Sequence, residues 1–264
     1  MSITSAMFTG VSGLLANAEG INVVGNNLSN VNTIGFKSSR MLFSDMLSTS
    51  IGNGSQVGRG TQIQQVDNLF TQGSFETTEN VADLAIQGDG FFPVVDAGGN
   101  QLFTRAGAFR MDPTNKFLTN PEGLKLLDSA GAAIDMSTLA VAGPPAVNFS
   151  KVTKVDADGT ITCLMTDGST KAYPTKIGMA LFPNPGGLEK GGSSTFSATT
   201  QSGAVIIAAP TVNNKIFSNS LEQSNVDMAA QFVKMITTQR AYSANSKTIT
   251  TADEMTQEVL SLKR

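Results

Sequence analysis

The chain has no histidine, a single cysteine, and charged side chains at only 15% of its 264 positions. Each shortage removes a class of function. Without histidine there is no Ser-His-Asp or Cys-His nucleophile system, and the common histidine-bearing metal sites are excluded as well. Cys163 has no intramolecular disulfide partner, and one thiol suits either a reducing or an oxidising compartment; it is expected to pack as a small hydrophobe. The low charge, against about 25% in ordinary globular proteins, implies a surface built largely from Ser, Thr, Asn and Gln. Net charge is −3 and no run of Lys or Arg could neutralise a row of phosphates, so neither nucleic acid nor an anionic membrane is an expected partner. No apolar run approaches the roughly eighteen residues needed to span a bilayer, so no membrane insertion is expected. The opening MSITSAMFTG lacks the basic n-region and compact h-region of a cleavable secretory signal, so export would follow another route.

What is present is helical periodicity at both ends. Met7, Leu14, Ile21 and Leu28 fall seven apart, with Val11, Ala18 and Gly25 interleaved. This seam predicts a coiled-coil helix over 1–32, beginning near Ser2, whose interleaved positions shrink from Val to Gly and would admit a close partner backbone. A second helix is expected over 224–264, opened by a Ser224-Asn225-Val226-Asp227 cap. Its seam is Met228, Met235, Tyr242 and Ile249, with Phe232, Ile236, Ala252, Val259 and Leu262 alongside. Thr238, Gln239, Asn245 and Ser246 dilute that stripe where a self-sufficient coiled coil would want Leu or Ile.

Between the helices the pattern changes. Short apolar runs divided by Gly98-Gly99, Asp112–Asn115, Asn120–Gly123, Asp158-Gly159 and Asp167-Gly168 predict a mainly-β domain over 81–223, with type I′ hairpins at the two Asp-Gly pairs. Residues 33–80, interrupted by Gly52, Gly54, Gly58 and Gly60, read as an extended linking arm. The expected fold class is therefore α+β: long terminal helices pairing as an antiparallel coiled coil, a central mainly-β domain and an extended arm. Two helices alone leave their flanks uncovered. Identical helices of neighbouring copies are expected to cover them, with neutral side chains contacting between subunits.

The stretch GNNLSNVNTIGFKSSR at 25–40 then has a local reading. Asn27, Asn30 and Asn32 suit a helix C-terminus, where Asn tolerates the left-handed conformation; Gly35 permits a turn and Phe36 plugs the junction. Other chemistry is weaker. GNGSQVGRG at 52–60 lacks the Lys-Ser/Thr ending of a phosphate loop. Asp156–Gly159 lacks the later ligands of a calcium loop. Glu76, Glu79 and Asp83 read as a solvated face rather than an acid/base pair, and Met228, Met235 and Met255 as packing rather than a cofactor site. No enzyme activity and no cofactor are expected.

Three blocks in order carry a family resemblance: GNNLSNVNTIGFKSSR, then LAIQGDGFF with LFTRAGAFRMD, then SNSLEQSNVDMAAQFVKMITTQRAYSANSKTITTADEM. Together they resemble the bacterial flagellar rod and hook proteins. The resemblance implies a non-enzymatic subunit of a hollow axial tube, with terminal helices lining the channel and the β domain outside. It further implies delivery through the flagellar type III export apparatus. Within the family the hook subunit, a flexible joint transmitting torque, is the nearer expectation, because the link before VGRGTQI is short. Its partners would be the adjoining rod proteins, the hook-filament junction proteins and the hook cap. The small interval 131–177, where hook proteins usually carry a large insertion, makes the distal rod subunit, a rigid drive shaft, the alternative.

Overall fold

A computed structural model describes residues 3–52, 55–113, 116–139 and 148–262, and divides the chain into two compact units. Ser2, Asn53, Gly54, Thr114 and Asn115, which entered the expected first helix, glycine-rich stretch and turn, lie outside the described residues.

The first unit draws on 1–31, 38–69 and 226–264. It holds helices α1 (Ile3–Ser29) and α2 (Met228–Leu262) and strands β1 (Ser39–Asp45), β2 (Thr49–Gly52), β3 (Ser55–Val57) and β4 (Thr61–Asn68). Positions 10, 13, 20 and 27 of α1 meet 249, 245, 238 and 231 of α2, so the helices pair antiparallel, as expected. The cap of α2 sits one turn later than the sequence suggests: Asp227 Oδ1 accepts from the Ala230 N–H at 3.2 Å, satisfying one orphan donor of the first turn. Antiparallel β1 and β4 run in register from Ser39 opposite Asn68 to Asp45 opposite Thr61, bulged between Leu42 and Phe43. Most of the stretch expected to be an extended arm is thus paired strand: its polar residues hid a hairpin exposed on one face.

The second unit comprises 32–37 and 70–225 and is mainly β, as the turn spacing predicts. Its seven-stranded sheet runs in spatial order Glu189–Gly192, Thr195–Ser197, Gln101–Thr104, Phe92–Val95, Lys125–Leu126, Leu118–Thr119 and Arg110–Met111. Beside it is a three-stranded meander of Phe149–Val155, Thr160–Met165 and Thr170–Lys176. The hairpins fall at both Asp-Gly pairs, but only the glycines, at φ of 81° and 79°, are left-handed. They are therefore type I turns closed by a glycine bulge rather than type I′ turns. The core gathers Leu84, Ile86, Phe92, Phe109, Leu126, Ile134 and Ile161. Cys163 is buried among them, its Sγ 3.7 Å from Met136 Sδ, and burial pushes the thiol up to about 11. A satellite cluster stacks Phe70, Phe91, Phe103, Phe182 and Phe196 edge to face, a geometry favoured by the ring quadrupoles.

Candidate self-assembly surface

The face of α1 turned toward α2 is made of small residues. Gly10, Gly13, Ala16, Gly20, Val24 and Asn27 are its buried positions, recurring every three or four residues. A Cβ added at Gly13 would lie 2.7 Å from Asn245 Oδ1, and one at Gly10 would lie 2.9 Å from Ile249 Cγ1, so missing side chains set how closely the helices approach. The facing stripe of α2 is Gln231, Met235, Thr238, Asn245, Ile249 and Ala252. Two of the polar residues that dilute its heptad are therefore part of the contact: Thr238 and Asn245 rest on glycines rather than opposing large apolar side chains, whereas Gln239 is exposed.

At the end of α1, Asn27 is buried and its amide is fully used. Its Nδ2 donates to the Ser39 carbonyl at 2.7 Å and its Oδ1 accepts from the Ser39 N–H at 2.9 Å, as a neighbouring strand would. The same Nδ2 reaches Gln231 Oε1 at 3.4 Å, so one side chain ties α1, β1 and α2 together. Asn30 donates to the Asn26 carbonyl at 2.8 Å. Neither Asn30 nor Asn32 is left-handed, so the amides end the helix by side-chain hydrogen bonding, not by the backbone geometry expected of them.

In the β unit, Gly35 and Phe36 are buried and Asn32 is exposed. Gly35, at φ 66°, donates its N–H to the Glu222 carbonyl at 2.8 Å; a Cβ there would lie 2.4 Å from the Ala106 nitrogen. The side chain of Glu222 collects two buried cations. Its Oε1 accepts from Lys37 Nζ at 2.6 Å and from the Gly73 N–H at 2.9 Å, and its Oε2 accepts from Arg105 Nη1 at 3.2 Å. Arg105 Nη2 donates to the Gly88 carbonyl at 2.7 Å, and its guanidinium lies over Phe91. Burial lowers the Lys37 pKa against the raising effect of Glu222. Lys37, Arg105 and Glu222 come from the three sequence blocks, one each, and sequence reasoning missed all three. Charged residues in neutral, turn-rich segments were the available signal.

The expected apolar seam sits elsewhere on the helices. On α1 it lies about a third of a turn from the buried stripe. Met7, Leu14, Ala18, Ile21, Gly25 and Leu28 are half-buried there, and Val11 is exposed. Among the described residues nothing lies within 4 Å of a Cβ at Gly25, so the partner backbone that this position was expected to admit is not α2. On α2, Met235, Asn245 and Ile249 join the contact, whereas Met228, Phe232, Gln239 and Tyr242 are exposed. Phe8 and Leu15 remain 75% and 63% exposed. About 10 Å of helix flank separates these two residues, an unfinished apolar face and not a closed core. Among the described residues no group of three or more Cys, Asp or Glu side chains could hold a metal ion. Among the described residues, the cleft beside Glu79 is lined by Arg110 and Lys151 and by no second carboxylate. Among the described residues no helix is long and apolar enough to cross a membrane.

Three family models match separate stretches: "Flagella basal body rod protein" over 7–37, "Flagellar hook protein FlgE/F/G D1 domain" over 85–163, and "Flagellar basal body rod FlgEFG protein C-terminal" over 218–262. The flagellar basal-body rod protein FlgG of Bacillus subtilis (strain 168) is 35% identical over 274 residues, covering 98% of this chain and 99% of the relative. The chain belongs to the flagellar rod and hook protein family. Rod and hook proteins are structural components of the flagellum and not enzymes, and their subunits self-assemble into a polymer in the part of the flagellum outside the cytoplasm. Two relatives from one organism, Borreliella burgdorferi, separate the members. Its rod protein FlgG is 32% identical over 274 residues, with 98% of both proteins covered. Its hook protein FlgE is 26% identical, over an alignment of 441 residues. These comparisons back the distal rod alternative better than the hook expectation: the small central interval weighs more than the short link before VGRGTQI.

Proposed function

We propose that this chain is a distal rod subunit of the flagellar basal body, a segment of the drive shaft. The observation that carries the reading is colinearity: rod relatives match from end to end at nearly equal length, whereas the hook relative needs a far longer alignment. The geometry of the helical unit supports it. A stiff shaft needs contacts that do not slide, and the glycine-lined helix pair, clamped to β1 through the Asn27 amide, has little freedom to shift register. In the polymer the half-buried seam of Met7, Leu14, Ile21 and Leu28, together with Phe232, Tyr242 and Gln239 of α2, serves as the coiled-coil face toward other copies. Met228 and Val11 lie exposed and half-buried Asn30 can join them, while Asn32 is exposed on the β unit. The partners are further copies and the adjoining rod and hook proteins, and delivery is through the flagellar type III export apparatus. The junction and cap proteins belonged to the hook reading and are not carried over.

Gold-labelled antibody against the chain, applied to hook–basal bodies isolated from the source bacterium and partly stripped of rings, tests this. Label on the straight rod is expected. Label along the curved hook would overturn the rod assignment.

A further inference from the structure

The helical unit contains a groove of its own, between the first half of α1 and the open end of the β1–β4 pair. Phe8, Val11 and Leu15 form one wall, and Met46 and Arg59 close the other. One bond holds the hairpin to α1, the Thr61 N–H donating to Ser12 Oγ at 3.4 Å, and within the hairpin the Met46 N–H donates to the Gly60 carbonyl at 2.9 Å. The groove is therefore built by fixed elements. Its apolar floor is open, and among the described residues Arg59 is the one charged residue lining it.

The same unit also carries a segment with the complementary character. The antiparallel register places the first described residue of α1, Ile3, opposite position 255 of α2, and α2 continues to Leu262. The last turns of α2 thus run about 10 Å past that residue. Met255, Val259 and Leu262 repeat at helical spacing along them and are 59%, 57% and 81% exposed. Glu254 and Glu258 flank this stripe, also four apart, so the helix end offers an apolar ridge edged by carboxylates. A groove with a lone cation and a ridge with two anions match in shape class and in charge.

We propose that the groove formed by Phe8, Val11, Leu15, Met46 and Arg59 receives the C-terminal end of α2, residues 255–262, from a second copy of this chain. The contact is heterologous, because groove and ridge are different surfaces, and such contacts propagate into open helical polymers rather than closing into dimers. The occupant cannot be the chain's own helix end. Leu15 stands opposite position 243 in the α1–α2 register, sixteen residues or about 24 Å short of Val259. A disulfide requires Cα atoms within about 7 Å, so a bridge between these two positions joins two copies.

This inference rests on the rod reading, and its test separates the two. The source bacterium is made to produce the Cys163→Ser chain carrying Leu15→Cys and Val259→Cys, hook–basal bodies are isolated, oxidised, and run on non-reducing gels. A ladder of dimers, trimers and higher species is expected, absent from each single-cysteine chain. Arg59→Glu and Glu258→Arg are each expected to reduce the amount of chain incorporated into rods by on the order of tenfold, and the combined reversal to restore most of it. Chain present in rods without a ladder, and single reversals that incorporate normally, would overturn the groove contact while leaving the rod reading intact. Absence of the wild-type chain from the rod would overturn both.

Discussion

The two units of this chain treat their apolar side chains in opposite ways. The β unit hides them: Phe92, Phe109, Leu126, Ile134 and Ile161 are wholly buried. The helical unit displays them, and among the described residues all strongly exposed large hydrophobics except Phe75, Ile206, Val212 and Phe217 belong to it. The polar groups are reversed too. The β unit buries three full charges in one cluster, whereas the helical unit buries uncharged amides, Asn27 and Gln231. A domain that closes its own core can fold before assembly. A domain that holds its apolar surface in reserve gains its remaining burial on joining other copies. The comparison teaches where polymerisation energy is stored.

The largest effect is expected where the β unit is most committed. Glu222→Ala leaves Lys37 and Arg105 buried without their anion, and breaking a buried pair in this way costs about 3–5 kcal/mol. Cys163 reports on it, since a buried thiol held up to about 11 reacts only when the β core opens. Alkylation of Cys163 in the variant is expected to accelerate by about two to nearly four orders of magnitude, roughly the population shift such a loss produces. An unchanged rate would mean that the cluster is not what holds 35–37, 105 and 222 together.

A smaller effect is expected at the helix pair. Gly13→Val forces a branched side chain into the space of Asn245, and overpacking of this kind costs about 1–3 kcal/mol, partly offset by the better helix propensity of any residue but glycine or proline. Thermal melts followed by far-ultraviolet circular dichroism on dilute protein should show the loss. Asn245→Ala, which removes the clashing amide, should recover part of it. If Gly13→Val sped Cys163 alkylation as strongly as Glu222→Ala does, the contrast between the units would fail.

These two sites also show what the sequence discloses. Both terminal helices were legible because Met7, Leu14, Ile21 and Leu28, and likewise Met228, Met235, Tyr242 and Ile249, keep a heptad over about six turns, and the meander because Gly159 and Gly168 sit where its turns need a left-handed residue. The intrachain helix contact was not legible. Hydrophobic periodicity finds large apolar residues, and Gly10, Gly13 and Gly20 contribute by having no side chain at all. The apolar seam it did find lies largely outside that contact, on the face left for other copies. Asn27 looked like a helix terminator because Asn commonly is one; its hydrogen bonds to Ser39 depend on a strand twelve residues on, which composition does not reveal. Lys37, Arg105 and Glu222 are far apart in sequence, and only the folded chain brings them within bonding distance.

The smallest expected effect sharpens the contrast by placing an exposed ion pair beside the buried one. Lys176 Nζ donates to Asp158 Oδ2 at 2.8 Å, and this bond, with those from Thr160, lowers the Asp158 carboxyl to about 2. A depressed carboxylate contributes stability that is present above its unfolded value of about 3.8 and is lost as pH falls from there through about 2. Both side chains are roughly half exposed, so water and salt screen the pair, and its contribution is held to at most about 0.5 kcal/mol. Asp158→Asn should therefore leave the urea midpoint at neutral pH nearly unchanged and flatten the acid limb of the stability curve between about pH 4 and 2. Raising the salt concentration should erase even that difference, while the Glu222→Ala deficit should persist, because screening ions do not reach a buried cluster. A deficit in Glu222→Ala that faded equally with salt would place the Lys37–Glu222–Arg105 cluster in contact with solvent and remove the basis of the contrast.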